Sequence, residues 1–159
     1  MATSGPFKTT TRYIPTNNVK EYRETIPECV NEDDVVLEVG CEWGSTSALI
    51  ALHCHELIAT DLSPECIERA RRDYPGIRFE ELDVFDINTV LAFDRRFTKI
   101  YIDVSGFSGY RSLLDTISLL QMYATVLKPD TIVIKSNSLK HFASCCRPWY
   151  SKWGRKKQE

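Results

Sequence analysis

Glu38-Val39-Gly40-Cys41-Glu42-Trp43-Gly44-Ser45 is the stretch from which the fold is read. It continues the β-branched run Val35-Val36-Leu37 and leads into a helical stretch over residues 45–53. A short apolar run that stops at a glycine, passes a second glycine and enters a helix is a strand–turn–helix unit. Its turn lets bare backbone approach a ligand.

The same alternation recurs along the chain. Apolar runs at residues 57–60, 77–82, 99–102 and 131–134 end at Asp61, near Asp83, at Asp103 and at Lys135. With the first run they make five expected strands. Helices are expected over residues 45–53, 63–74, 87–93 and 110–127; Ser63 stands as N-cap and Pro64 at the first helical position of the second. An amphipathic lead-in of Val19, Tyr22 and Ile26 before Pro27 predicts a further helix laid on the sheet. Nearly continuous apolar strands joined by helical crossovers imply an α/β fold with a doubly wound, mostly parallel sheet and helices on both faces. One domain over residues 1–159 is expected, with 1–16 as a leading segment and 147–159 as a basic and aromatic tail.

In such a sheet a ligand lies beyond the carboxyl ends of the strands, where the strand order reverses. Glu38, Asp61, Asp83 and Asp103 are expected to converge on that rim. A dinucleotide site needs G-x-G-x-x-G, and Glu42 occupies its second glycine position, where a carboxylate repels a pyrophosphate. A ligand with no phosphate and with positive charge suits these acids better.

LEVGCEWGSTS, IATDLSPECIERAR and FEELDVFD, taken in order, resemble the successive cofactor-binding motifs of the class I S-adenosylmethionine-dependent methyltransferases, over residues 35–136. The resemblance implies S-adenosyl-L-methionine as cofactor and a Rossmann-like domain. It implies that Gly40 and Gly44, with Cys41 and Glu42 between them, carry the loop under the methionine part, and that Glu38 orients that loop. Asp61 would accept from the ribose hydroxyls, Asp83 would sit beside the adenine amino group, and Leu62 and Val84 would wall the ring. The plainer reading of Asp61 and Asp83 is that each caps the turn after it.

On the acceptor side stand Asp103-Val104-Ser105-Gly106, Tyr110, Lys135-Ser136-Asn137 and His141. The sequence after Asp103 departs from the Asp/Asn-Pro-Pro-aromatic motif of adenine and glutamine N-methyltransferases. Metal-dependent catechol-type O-methyltransferases carry an Asp-Asn pair after the fifth strand, where this chain has Lys135 leading into Ser136-Asn137, so no metal is expected. An Asp ending the fourth strand and a Lys ending the fifth are similar to part of the catalytic set of RNA 2′-O-methyltransferases. Asp103 and Lys135 are therefore read either as catalytic or acceptor-binding groups or as a rim salt bridge. A lone His141 is read as structural.

Bulk properties set the remaining bounds. The 159 residues hold 20 Lys and Arg against 22 Asp and Glu, so any RNA contact must come from a local patch rather than net charge. The tail after Arg147 interleaves Trp149, Tyr150 and Trp153 with Lys and Arg, either a single-strand-binding pattern or aromatics packed on the domain. Six cysteines form no CxxC pair, and His53-Cys54-His55 point in different directions. No apolar run reaches the roughly 20 residues of a membrane span, so an intracellular, most simply cytoplasmic, protein is expected, with organellar targeting left open. The acceptor, RNA or a small molecule, is not readable. With five strands the edge beyond the fifth is left for a helix, a protein partner or a second copy to cover. An active methyltransferase and a non-catalytic cofactor-binding or protein-interaction module both fit these residues.

Overall fold

The computed structural model describes residues 9–104, 109–147 and 149. Six parallel strands form one sheet: β1 (Arg12–Thr16), β2 (Val35–Val39), β3 (Glu56–Asp61), β4 (Arg78–Glu81), β5 (Lys99–Ile102) and β6 (Thr131–Lys135), in the spatial order β1-β6-β5-β2-β3-β4. The helices are α1 (Val19–Glu24), α2 (Ile26–Cys29), α3 (Ser45–Ala51), α4 (Pro64–Asp73), α5 (Ile87–Ala92), α6 (Leu113–Val126) and α7 (Asn137–Cys145), with a 3-10 turn at Tyr110–Ser112.

Local chemistry places these elements. Ser63 caps α4 through its hydroxyl, which accepts from the Cys66 N–H, and Pro64 takes the first turn, where its missing N–H costs nothing. Asp86 and Ser136 cap α5 and α7 in the same way. The expected lead-in helix is broken into α1 and α2 at Thr25–Ile26, with Pro27 in the first turn of α2.

Successive strand residues point to opposite faces, so the sheet builds two cores. Leu37, Ile58, Ile100, Ile102, Ile132 and Ile134 meet α5, α6 and α7 on one face. Val36, Leu57, Ala59, Tyr101 and Val133 meet Tyr22, Ile26, Ile50 and Ile67 on the other.

The expected count of five strands is corrected to six, because Arg12–Thr16, within the expected leading segment, pairs with β6 from Arg12↔Thr131 to Thr16↔Lys135. The Arg12 N–H donates to the Asp130 carbonyl, and the period-2 ladder then turns the nitrogens of Tyr13 and Pro15 outward. Pro15, which has no N–H to give, is tolerated because this is an edge strand. The edge that the sequence left for a helix, a partner or a second copy is thus occupied by the chain's own β1.

Strand order reverses between β2 and β5: the chain winds through β3 and β4 on one side and through β6 on the other. The carboxyl ends of β2 and β5 therefore define the crevice where a ligand of such a sheet binds.

Candidate active site

A cleft of about 180 Å³ opens at this switch point, lined by Val39, Gly40, Asp61, Leu62, Leu82, Asp83, Val84, Asp103 and Val104. Six of these, Gly40, Asp61, Leu62, Asp83, Val84 and Asp103, are expected from the sequence as site residues, and Val104 belongs to the stretch expected on the acceptor side. Val39 and Leu82 are not expected; they are ordinary apolar residues at or just past strand ends that only the parallel register brings to the rim.

The loop after β2 turns on three residues with positive φ: Gly40 at 85°, Glu42 at 50° and Gly44 at 85°. Gly40 and Cys41 both donate to the Thr60 carbonyl, at 2.8 and 2.9 Å, and Gly44 donates to the Cys41 carbonyl at 2.9 Å. A Cβ on Gly40 would fall on the Asp103 carbonyl, so backbone there runs directly against the end of β5. Gly44 instead packs beneath the rings of Phe79 and Tyr74.

Glu38 and Cys41 lie under the loop rather than in the cleft. The Glu38 carboxylate is 1% exposed and accepts from Ser47 Oγ at 2.5 Å, while its backbone carbonyl accepts from Thr60 Oγ1. Burial raises its pKa to about 8; the negative Asp103 pushes the same way, and the Ser47 bond and the Arg23 charge partly oppose it. This side chain ties β2 to α3 and so holds the loop from below. Burial, reinforced by Glu38, likewise pushes the Cys41 thiol up.

Asp61 faces the cleft with its carboxylate already organised: Oδ2 accepts from the Glu42 N–H and Oδ1 from the Ser63 N–H, each at 2.9 Å. Asp83 accepts from the Phe85 N–H at 3.0 Å. The turn-capping role is therefore present at both positions. A carboxylate carries about four acceptor sites, so one bond on each Asp61 oxygen leaves acceptor capacity toward the cleft. Leu62, 69% exposed, and Val84, buried, supply apolar surface around it.

Asp103 and Lys135, from neighbouring strands, form an ion pair at 2.5 Å with about a fifth of each side chain exposed. Burial raises the Asp103 pKa, and the Lys135 bond and charge limit the rise. Ser105 and Gly106 lie outside the described residues, as does the tail beyond Arg147 apart from Trp149, which is 91% exposed. His141 lies on α7, where its Nε2 stands 3.8 Å from Cys145 Sγ. Among the described residues no group of His, Cys, Asp and Glu is placed to hold a metal, and no helix is long and apolar enough to cross a membrane.

A parallel sheet with a glycine turn after β2, an acid at the end of β3 and others just past β4 and β5, and a cleft at the switch point defines a methyltransferase-type α/β domain. Residues 36–130 match the family model described as a methyltransferase domain, and the chain belongs to that family. It is similar in fold to an S-adenosylmethionine-dependent methyltransferase from Clostridium acetobutylicum (20% identity, TM-score 0.53), covering 76% of this chain and 48% of that one. It is also similar to a TehB-like SAM-dependent methyltransferase from Corynebacterium glutamicum (19%, 0.52, 74% and 62%). A third is the sugar N-methyltransferase KedS8 from Streptoalloteichus (19%, 0.52, 84% and 48%). The chain thus spans less than two thirds of these solved chains. No curated protein matches its sequence. The cofactor of this class is S-adenosyl-L-methionine, and the residues present fit it: a phosphate-free, cationic ligand meets acids, bare backbone and apolar walls.

Proposed function

We propose that the chain transfers a methyl group from S-adenosyl-L-methionine to an acceptor presented beside Asp103 and Lys135. The observation that carries this reading is the convergence of Gly40, Asp61, Asp83 and Asp103, from four strand ends, on one cleft. Gly40 and Gly44, with Cys41 and Glu42, would carry the loop under the methionine part, and Glu38 would hold that loop through Ser47. Asp61 would receive the ribose hydroxyls, Asp83 the adenine amino group, with Leu62 and Val84 against the ring.

The cofactor supplies an activated methyl group for in-line displacement, so the protein's part is positioning and, where the acceptor carries a proton, accepting it. Asp103 is suited to both. Its burial makes it a better base than an exposed carboxylate, and Lys135 fixes its orientation. An RNA hydroxyl or base and a small amine or alcohol are the acceptor classes to test.

The test is calorimetric titration with S-adenosylmethionine, followed by transfer of a tritiated methyl group to RNA and to a small-molecule panel. Micromolar binding that Asp61→Ala abolishes, with label entering one acceptor fraction, is expected. Binding without label in any fraction would leave a cofactor-binding module. A folded chain that binds nothing would sink the reading.

A further inference from the structure

A second opening, which shares no lining residue with the cleft, lies where α6 and α7 meet the edge strand β1. It has a volume of about 410 Å³ and mostly apolar walls, among them Tyr13 and Pro15 of β1, Ile117 and Gln121 of α6, and Phe142 and Cys146 at the end of α7. Residues four apart share a helix face, so each helix turns one stripe toward this groove. Openings of roughly 300–1,000 Å³ hold groups as large as a ring system. Phe142 stands 48% exposed on the rim, and no described residue fills the space. An apolar surface of this kind, open to water, marks a docking site.

The polar part of the wall says what kind of group docks. The Gln121 amide donates through Nε2 to Tyr13 Oη at 3.2 Å, and its Oε1 is buried with no hydrogen-bond partner among the described residues. Turning the amide over lets Tyr13 Oη donate to Oε1 and orphans the nitrogen instead, so one amide group is unpaired either way. A lipid chain would cover the groove and leave that group unpaired, which is costly. A peptide carrying an aromatic ring covers the apolar wall and also brings N–H and C=O groups. The chain supplies such a peptide at the rim. Cys146, which lines the groove, is the C-cap of α7, and Pro148, which cannot continue a helix, follows it. Trp149, only three residues past Cys146, is 91% exposed. Trp153 lies seven residues past Cys146, far enough for the chain to turn and return and near enough that closing the loop costs little entropy. Such a tether holds the ring at an effective concentration of about millimolar.

We propose that residues 150–153 fold back on α7 and seat the Trp153 indole in the groove between β1, α6 and α7, beside the unpaired Gln121 amide. The flanking Lys152, Arg155, Lys156 and Lys157 stay in water and are held together at the edge of the sheet. The proposal is independent of the cofactor reading.

The test follows the fluorescence of Trp153 alone in the full chain, with Trp43→Phe and Trp149→Phe removing the other two tryptophans. Its emission is expected to the blue of the urea-unfolded chain, with several-fold weaker quenching by acrylamide. Ala143→Glu alters an exposed residue of α7 that lines the groove. It should return both readings to the unfolded values while helix content stays unchanged. A second measurement leaves Trp43 and Trp149 in place: ending the chain at Trp149 should lower the urea midpoint and increase binding of a hydrophobic dye. An unfolded-like Trp153 in the native chain, or a blue-shifted one indifferent to Ala143→Glu, would overturn the proposal, as would an unchanged midpoint and dye signal on truncation. A blue shift that vanishes on dilution would overturn it in favour of a second copy. One that appears only with anionic vesicles, or only with single-stranded RNA, would give the segment to a membrane or to nucleic acid instead.

Discussion

The backbone of Gly40 lies against the carbonyl of Asp103, leaving no space for a Cβ. The two residues end β2 and β5, the strands between which the sheet order reverses, so the floor of the cleft is two main chains in contact. Gly40 also has a φ of 85°. Gly40→Ala is therefore expected to cost about 3 kcal/mol or more, combining left-handed backbone strain with a collision that only movement of β5 relieves. Gly44→Ala shares the φ but meets ring atoms of Phe79 and Tyr74, side chains that can shift, and should cost about 1–2 kcal/mol. Urea unfolding of both variants checks the ranking, and the reverse order would contradict this account of the loop.

Glu42 adopts a φ of 50° without being glycine, held there by its N–H bond to Asp61. A left-handed non-glycine residue costs about 1 kcal/mol, whereas glycine pays only its larger unfolded-state entropy. Glu42→Gly is expected to raise stability slightly, by about 0.5 kcal/mol, and Glu42→Ala to leave the strain in place. Unfolding midpoints measured for the two variants side by side separate strain from charge, since both remove the carboxylate.

Much of this was legible in the sequence because its parts are local. Val35 to Val39 is apolar and β-branched, ends at Gly40, and needs no tertiary information to read as a buried strand before a turn. Asp61 and Asp83 sit at strand ends for the same reason. β1 was not legible, because Thr11, Arg12, Pro15 and Thr16 dilute its apolar content and Pro15 argues against a central strand; only the outward ladder position makes it acceptable. Asp103 and Lys135 were legible as strand-end groups that pair or act on the acceptor side, and the adjacency of β5 and β6 makes the contact. Arg23 meets Ser45 and Thr46 only through the docking of α1, which leaves no spacing signal in the chain.

Glu38 makes stability depend on pH in the direction opposite to most carboxylates. Its ordinary value is 4.5 and burial raises it to about 8 in the folded protein. Between those values the folded state holds a proton that the unfolded chain has lost, so stability is greatest at the acid end of the window. It then falls as pH rises, by at most ~1.4 kcal/mol per pH unit. Glu38→Gln, which retains an acceptor for Ser47, should flatten this decline. Urea midpoints from pH 5 to 8.5 should converge at the acid end and favour the variant at the basic end; parallel profiles would rule Glu38 out as the source.

The edge strand makes a prediction about the first residues of the chain. Removing residues 1–16 deletes the β1–β6 ladder and the bond from Thr11 Oγ1 to the Pro129 carbonyl. It leaves the backbone groups of β6 open to other molecules. The truncated chain is expected to lose about 3 kcal/mol or more and to scatter light on warming at concentrations where the full chain stays clear. An unchanged unfolding midpoint would mean that β1 contributes no net stability.

The Asp103–Lys135 pair can be divided into structural and functional parts by a double-mutant cycle. Lys135→Met removes the bond and charge that chiefly limit the Asp103 pKa, so burial is opposed only by the Arg23 charge and the carboxyl titrates higher still. Because the folded-state value then exceeds the unfolded 3.8 by more, the variant's stability should fall more steeply than the parent's as pH rises from that value. Asp103→Asn should abolish the difference. The coupling energy between the two sites is expected at about 1–3 kcal/mol in urea unfolding at neutral pH. If the pair also presents the acceptor, Lys135→Met should lower methyl transfer at least about tenfold while leaving affinity for S-adenosylhomocysteine nearly unchanged. A cycle with strong coupling in stability but unaltered transfer would make the pair a strut between β5 and β6, and would move the search for the acceptor's proton-accepting group elsewhere along the rim.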